Sequence, residues 1–166
     1  VVTAAAKAAE TYRAGAGAIR LVTGTLSVHE QLEDALASFT AFPAALVLST
    51  GYHANLATVA ALADSQTLIV SDAHVHASMI DACRLSRGNV RVVAHNDVQA
   101  VETALRERSE PRAIVLVETV YSVLGDAAPV SELVGLCERY DALLVADEAH
   151  ALGVVGANGR GLLHAE

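Results

Sequence analysis

Acids, histidines and hydroxyls gather at four places in this 166-residue sequence, each at the end of an apolar run. Asp147-Glu148-Ala149-His150 follows Ala142-Leu143-Leu144-Val145-Ala146 and delivers two acids and a histidine within four residues. A carboxylate at the end of a rigid strand can face a ligand without swinging away. Ser71-Asp72-Ala73-His74-Val75-His76-Ala77-Ser78 carries histidines at alternate positions. Such a pair can ligate zinc, one imidazole can lie flat against a planar ligand, or a histidine can cap the next helix. Ser49-Thr50-Gly51-Tyr52-His53-Ala54-Asn55 reads as a glycine turn opening a helix. Its free N–H groups suit a phosphate, although an ordinary strand-to-helix turn has the same pattern. In Glu118-Thr119-Val120-Tyr121-Ser122, the Ser122 hydroxyl can bond a ligand oxygen or satisfy its own turn. There is no Gly-x-x-x-x-Gly-Lys-Ser/Thr and only one lysine, Lys7. A nucleoside-triphosphate loop is therefore excluded, and with it the helicase reading of Asp147 to His150.

Alternating strands and helices must position these groups. The five apolar residues from Ala142 to Ala146 predict a strand buried on both faces, as in a parallel sheet. Further strands are predicted over 44–49, 67–71, 90–94 and 113–118. Helices are predicted over 3–14, 27–39, 52–63, 76–86 and 131–140, and another after Asn96-Asp97 with Asp97 as N-cap. Ser27-Val28-His29-Glu30 fits a capping box with Ser27 as N-cap. Repeated strand–helix units imply right-handed crossovers and an α/β fold, a mostly parallel sheet with flanking helices. Ligands of such sheets bind beyond the carboxyl ends of the strands, where all four polar clusters lie.

The totals agree. The chain is 53% hydrophobic and 18% charged, which excludes disorder. Its length suits one domain. A net charge of −8 without a basic patch argues against nucleic acid. No apolar run is long enough to cross a bilayer. Cys83 and Cys137 belong to no Cys-x-x-Cys pair and read as buried free thiols in a reducing cytoplasm.

A phosphate cup, a stacking imidazole, a hydroxyl and a strand-borne carboxylate together describe a site for pyridoxal phosphate. That cofactor needs its phosphate anchored, its ring sandwiched and its ring nitrogen kept protonated by an acid. Asp147 is the group for the nitrogen.

The ordered motifs Leu21-Val22-Thr23-Gly24-Thr25 with His29 and Leu32-Glu33, then Ser49 to Asn55, His76-Ala77-Ser78, His95-Asn96-Asp97, Ser122 with Gly125-Asp126, Asp147 to His150 with Gly153, and Gly159-Arg160-Gly161 cover nearly the whole chain. The sequence resembles the α-oxoamine synthases, fold type I pyridoxal-phosphate enzymes that condense an amino acid with an acyl thioester and release carbon dioxide. The resemblance is nearest to the member that joins alanine to a pimeloyl thioester in biotin synthesis; glycine C-acetyltransferase and 5-aminolevulinate synthase are the runners-up. It implies amides of Gly51 and Tyr52 at the phosphate, and His76 stacked on the ring and touching substrate. It also implies Ser122 and His150 hydrogen-bonded to the cofactor, Asp147 at the ring nitrogen, and a homodimer. The amino acid partner is joined by an acyl-CoA or acyl-carrier-protein thioester.

The sequence departs from the family in Glu148, where many relatives have aspartate, and in Leu152, where threonine or valine is common. A larger departure is the Schiff-base lysine, which the family places downstream of Glu166; Lys7 does not match it. Residues 1–166 are therefore expected to be an incomplete cofactor-binding large domain, inert alone, without the later strands and small domain. From another reaction class, a metal-dependent hydrolase would use His74, His76, Asp147 and His150.

Overall fold

The computed structural model describes residues 1–165. It divides into two units, Val1–Val47 and the residues from Leu48 onward.

The first unit contains α1 (Val2–Tyr12), a wide turn over Arg20–Gly24, and α2 (Ser27–Thr40). Ser27 is the first helical residue of α2 rather than its cap. The cap is Leu26, whose N–H donates to His29 Nδ1 at 3.0 Å, so the histidine makes the return bond expected of Glu30. The strand predicted over 44–49 does not form. There Val47 spends its backbone on side chains. Its N–H donates to Glu33 Oε1 at 2.7 Å and its carbonyl accepts from Arg20 at 2.8 Å. Arg20 also grips the Glu33 carboxylate, with bonds of 2.5 and 3.1 Å. The Arg20 bond first, and the Val47 N–H second, pull the Glu33 pKa down to about 2.

The second unit runs α3 (Gly51–Leu62), β1 (Thr67–Asp72), α4 (Ala77–Ser86), β2 (Asn89–Val93), α5 (Val98–Glu107), β3 (Arg112–Glu118), α6 (Val130–Arg139) and β4 (Leu143–Asp147). The four strands are parallel in the order β2-β1-β3-β4, which is the expected fold class. Side chains alternate across the sheet. Leu68, Val70, Val115 and Val117 pack with α5 and α6, while Ile69, Ile114 and Leu116 pack with α3 and α4. Asp97 caps α5 as predicted, accepting the Ala100 N–H at 2.9 Å.

β4 packs on both faces, Leu144 and Ala146 against the α5–α6 side and Val145 against the α3–α4 side, all partly buried. Among the described residues it pairs with β3, and Leu143 at its start is 54% exposed. Cys83 and Cys137 are free and buried, on α4 and α6, and burial raises both thiol pKa values, that of Cys137 to about 11. Among the described residues, no helix is long and apolar enough to cross a membrane.

Candidate active site

The register pairs Glu118 with Asp147, so β3 and β4 end level and present two acids at one edge of the sheet. There a cleft of about 130 Å³ brings together Gly51, Tyr52, His76, Asp147 and His150, five of the six residues picked from the sequence. Asn55, Ser78, Glu118 and Ala149 complete it.

Asp147 is held on both oxygens. Oδ1 accepts the Ala149 N–H at 2.9 Å, and Oδ2 accepts from Asn55 Nδ2 at 2.8 Å. Local turn chemistry accounts for the first bond. The second reaches across to α3, whose first turn supplies the phosphate-type end of the cleft. Thr50 caps α3, its Oγ1 accepting the His53 N–H at 3.0 Å. The N–H groups of Gly51 and Tyr52 have no acceptor within the helix. A Cβ built on Gly51 would meet nothing within 4 Å, so the space beside this amide is open. Open space, two outward amides and a fixed carboxylate fit a phosphorylated ring.

Tyr52 contributes its backbone here. Its hydroxyl donates to Asp81 Oδ2 at 2.5 Å, which raises the phenol pKa and lowers that of Asp81. His76 is both the N-cap of α4 and part of the cleft lining. Its Nδ1 accepts the Ser78 N–H at 3.2 Å and lies 2.7 Å from Ser78 Oγ. His150 is exposed on the loop after β4.

Ser122 does not line the cleft. Its N–H donates to Glu118 Oε2 at 2.9 Å and its hydroxyl lies 3.4 Å from Oε1. Glu118, only 2% exposed, thus stands between Ser122 and the cleft. Glu148 points elsewhere, accepting the N–H groups of Leu162 and Leu163 at 2.7 and 3.2 Å and fastening the loop after β4. Gly161 in that loop (φ +86°) lies against the Glu148 carboxylate, which a Cβ there would displace.

The two histidines of the His-x-His pair part company. His74 stacks on His95 with ring centroids 4.2 Å apart, whereas His76 caps α4. Among the described residues, no three His, Cys, Asp or Glu side chains gather in a way that could hold a metal. The hydrolase reading thus loses its ligand pair.

A second polar cluster lies at the ends of β1 and β2. His95 Nδ1 pairs with Asp72 at 3.0 Å and Nε2 with Asp126 at 2.9 Å. Asn96 donates its N–H to Asp72 at 2.8 Å and its side chain to Asp126 at 3.0 Å. The buried Tyr121 ring meets His95 edge-on at 4.4 Å. Burial works against a charged His95, but the bonds to Asp72 and Asp126 outweigh it and raise its pKa; the pairing with His95 lowers that of Asp126.

Sequence reasoning assigned no role to Asn55, Ser78 or Glu118. Faint signals existed. Asn55 is four residues from Gly51, one helical turn along the same face. Ser78 sits in the first turn after the capping histidine, and Glu118 ends an apolar strand.

The profile of the family described as aminotransferase class I and II matches residues 1–165. The chain belongs to the aminotransferase class I and II family. An 8-amino-7-oxononanoate synthase of Mycolicibacterium gilvum (strain PYR-GCK) is 54% identical over 163 residues, 98% of this chain and 43% of that protein. Among solved structures, Sphingomonas wittichii serine palmitoyltransferase superposes with a TM-score of 0.94 at 35% identity, over 99% of this chain and 41% of that one. A high-resolution structure of SPT with PLP gives 0.90 at 38% identity, over 99% and 42%. This class I and II chain spans about two fifths of the length of the curated relatives it matches.

Proposed function

We propose that these residues form the cofactor-binding part of a pyridoxal-phosphate-dependent acyltransferase of the 8-amino-7-oxononanoate synthase type. It would condense L-alanine with a pimeloyl thioester, releasing carbon dioxide and the free thiol. What supports this reading is one arrangement: a carboxylate fixed on both oxygens shares one cleft with a helix-capping imidazole and two first-turn helix amides. The 54% identity to a protein of that name favours it over the serine palmitoyltransferase reaction, whose structure is 35% identical.

When bound, pyridoxal phosphate supplies an electron sink for the bond-breaking at the amino acid's Cα. The chain's residues do the holding. Gly51 and Tyr52 N–H groups donate to the phosphate at the positive end of α3. Asp147 accepts from the ring nitrogen and keeps its proton in place. His76 covers the ring and shields it from water, and His150 donates to the phenolic oxygen. Ser122 has the same family role, which requires its hydroxyl to leave Glu118; at 3.4 Å that contact is weak. None of the cleft residues is a lysine, so the covalent lysine is sought in sequence beyond these residues, which are read as part of the large domain. A homodimer in the cytoplasm completes the proposal, the buried free thiols of Cys83 and Cys137 suiting a reducing compartment.

The test is turnover by the full-length protein loaded with pyridoxal phosphate. L-alanine with a pimeloyl thioester should give carbon dioxide and 8-amino-7-oxononanoate. Glycine with acetyl-CoA and L-serine with palmitoyl-CoA should be poor pairs, and preference for either would reassign the substrate. A colourless protein carrying stoichiometric zinc would end the reading.

A further inference from the structure

Asp147 and His76 lie on different elements, yet one unbroken hydrogen-bond chain joins them. Asn55 Nδ2 donates to Asp147 Oδ2 and to Ser78 Oγ, both at 2.8 Å, and Ser78 Oγ lies 2.7 Å from His76 Nδ1. We propose that Asn55 is a positioning residue that, through Ser78, ties the Asp147 carboxylate to the His76 ring and holds that ring as its Nε2–H tautomer. The proposal rests on the function given above, since it gives Asp147 and His76 a common ligand.

The donor directions follow from chemistry. An ionised carboxylate only accepts, so the Asn55 atom facing Asp147 must be its NH2 group. That group has two hydrogens and two acceptors in reach. Ser78 Oγ accepts the second, which leaves its own hydrogen for His76 Nδ1. The Ser78 N–H points at the same nitrogen from 3.2 Å. An Nδ1 that receives two donors carries no hydrogen, so a neutral His76 bears its proton on Nε2. His76 thereby enters the cleft as a donor.

The identity of the linking residue matters as much as its position. A lysine or arginine at position 55 would orient Asp147 equally well but would neutralise it. Asparagine holds the carboxylate with a neutral donor and leaves its charge for a ring nitrogen. Placement on three separate elements makes the chain rigid. Asn55 is in the second turn of α3, Ser78 is fully buried in α4, and Asp147 ends β4.

The full-length protein tests this in two ways. In the cofactor-free protein, nitrogen-15 NMR of the imidazole should report His76 with hydrogen on Nε2 and none on Nδ1; a neutral ring with hydrogen on Nδ1 overturns the inference without any variant. Asn55→Ala should weaken pyridoxal phosphate binding about tenfold or more, the range for losing a bond to a charged group. It should also shift the pH dependence of the bound cofactor's visible spectrum. Asn55→Asp keeps the shape but sets a second carboxylate beside Asp147, and should weaken binding further; it decides the matter if the alanine variant fails to fold. Wild-type affinity and pH profile in Asn55→Asp would overturn the proposal. Failure of the unaltered protein to bind pyridoxal phosphate would instead end the functional reading, while the tautomer measurement would still judge the hydrogen-bond chain.

Discussion

Two histidines stand near the carboxyl edge of the same sheet and are used in opposite ways. His95 has both ring nitrogens occupied by carboxylates, Asp72 on one side and Asp126 on the other. His76 has one nitrogen tied to Ser78, and its ring lines an open cleft. A ring with both nitrogens bound has no bonding capacity left and acts as a clamp. It holds the turn from Tyr121 to Ala127, which carries Ser122, against the ends of β1 and β2. A ring with one nitrogen spare can engage something that arrives from outside. The contrast lies in the neighbours, because acids surround His95 while the contacts of His76 are neutral.

Substitutions should separate the two roles. The largest effect is expected at the acid that the cleft is built around. Asp147→Ala in the full-length protein should lower kcat by about 10²–10³ or more, as for the loss of a preorganised electrostatic partner, with an unchanged circular dichroism spectrum. His76→Ala should come next, lowering turnover strongly at a stability cost of about 1 kcal/mol, that of losing the N-cap of α4. His95→Ala should invert that pattern. It removes one bond from Asp72, which is 5% exposed and keeps the N–H groups of His74 and Asn96, and should cost about 1–3 kcal/mol in urea unfolding. Turnover per folded molecule should change far less. If the two alanine variants gave the same balance of lost stability and lost activity, the distinction between clamp and contact would be gone.

The clamp should also respond to pH. The His95 pKa is raised above 6.5 in the folded state, so its contribution is fully present below 6.5 and fades as pH climbs through the raised value. The Asp126 pKa is lowered below 3.8, so its contribution is present above 3.8 and fades as pH falls through the lowered value. Stability from this pair should therefore plateau between about 3.8 and 6.5, and His95→Gln should flatten the alkaline limb of the unfolding midpoint against pH. The smallest effect is expected from Tyr52→Phe. It removes an exposed bond to Asp81 but keeps the backbone N–H, so cofactor affinity should stay within about twofold, in keeping with the small value of exposed polar contacts. A large loss would assign the Tyr52 side chain, rather than its amide, to the site.

Much of this arrangement was legible in the residues. The strands at 67–72, 112–118 and 143–147 announce themselves as short apolar runs ending in acids, because a sheet covered on both faces needs apolar residues on both. Parallel strands end at a common edge, so Asp147, His76, His150 and Gly51 could be expected to meet before any distance was known. The run at 44–49 pairs with no strand among the described residues, where Val47 gives its backbone to Glu33 and Arg20. Ser27 was a reasonable cap on pattern, but His29 reached the Leu26 N–H instead.

Sequence alone determined the helices and the four strands of the parallel sheet, the chemistry of their ends and the convergence of those ends on one edge, since these depend on local periodicity and on the rule that parallel strands share a direction. Tertiary structure decided that His74 and His76 separate, that Ser122 turns to Glu118, and that Asn55 reaches Asp147 across 92 positions of chain. A hydrogen bond depends on tenths of an ångström between atoms brought together by packing, and no spacing of residues along the chain encodes that.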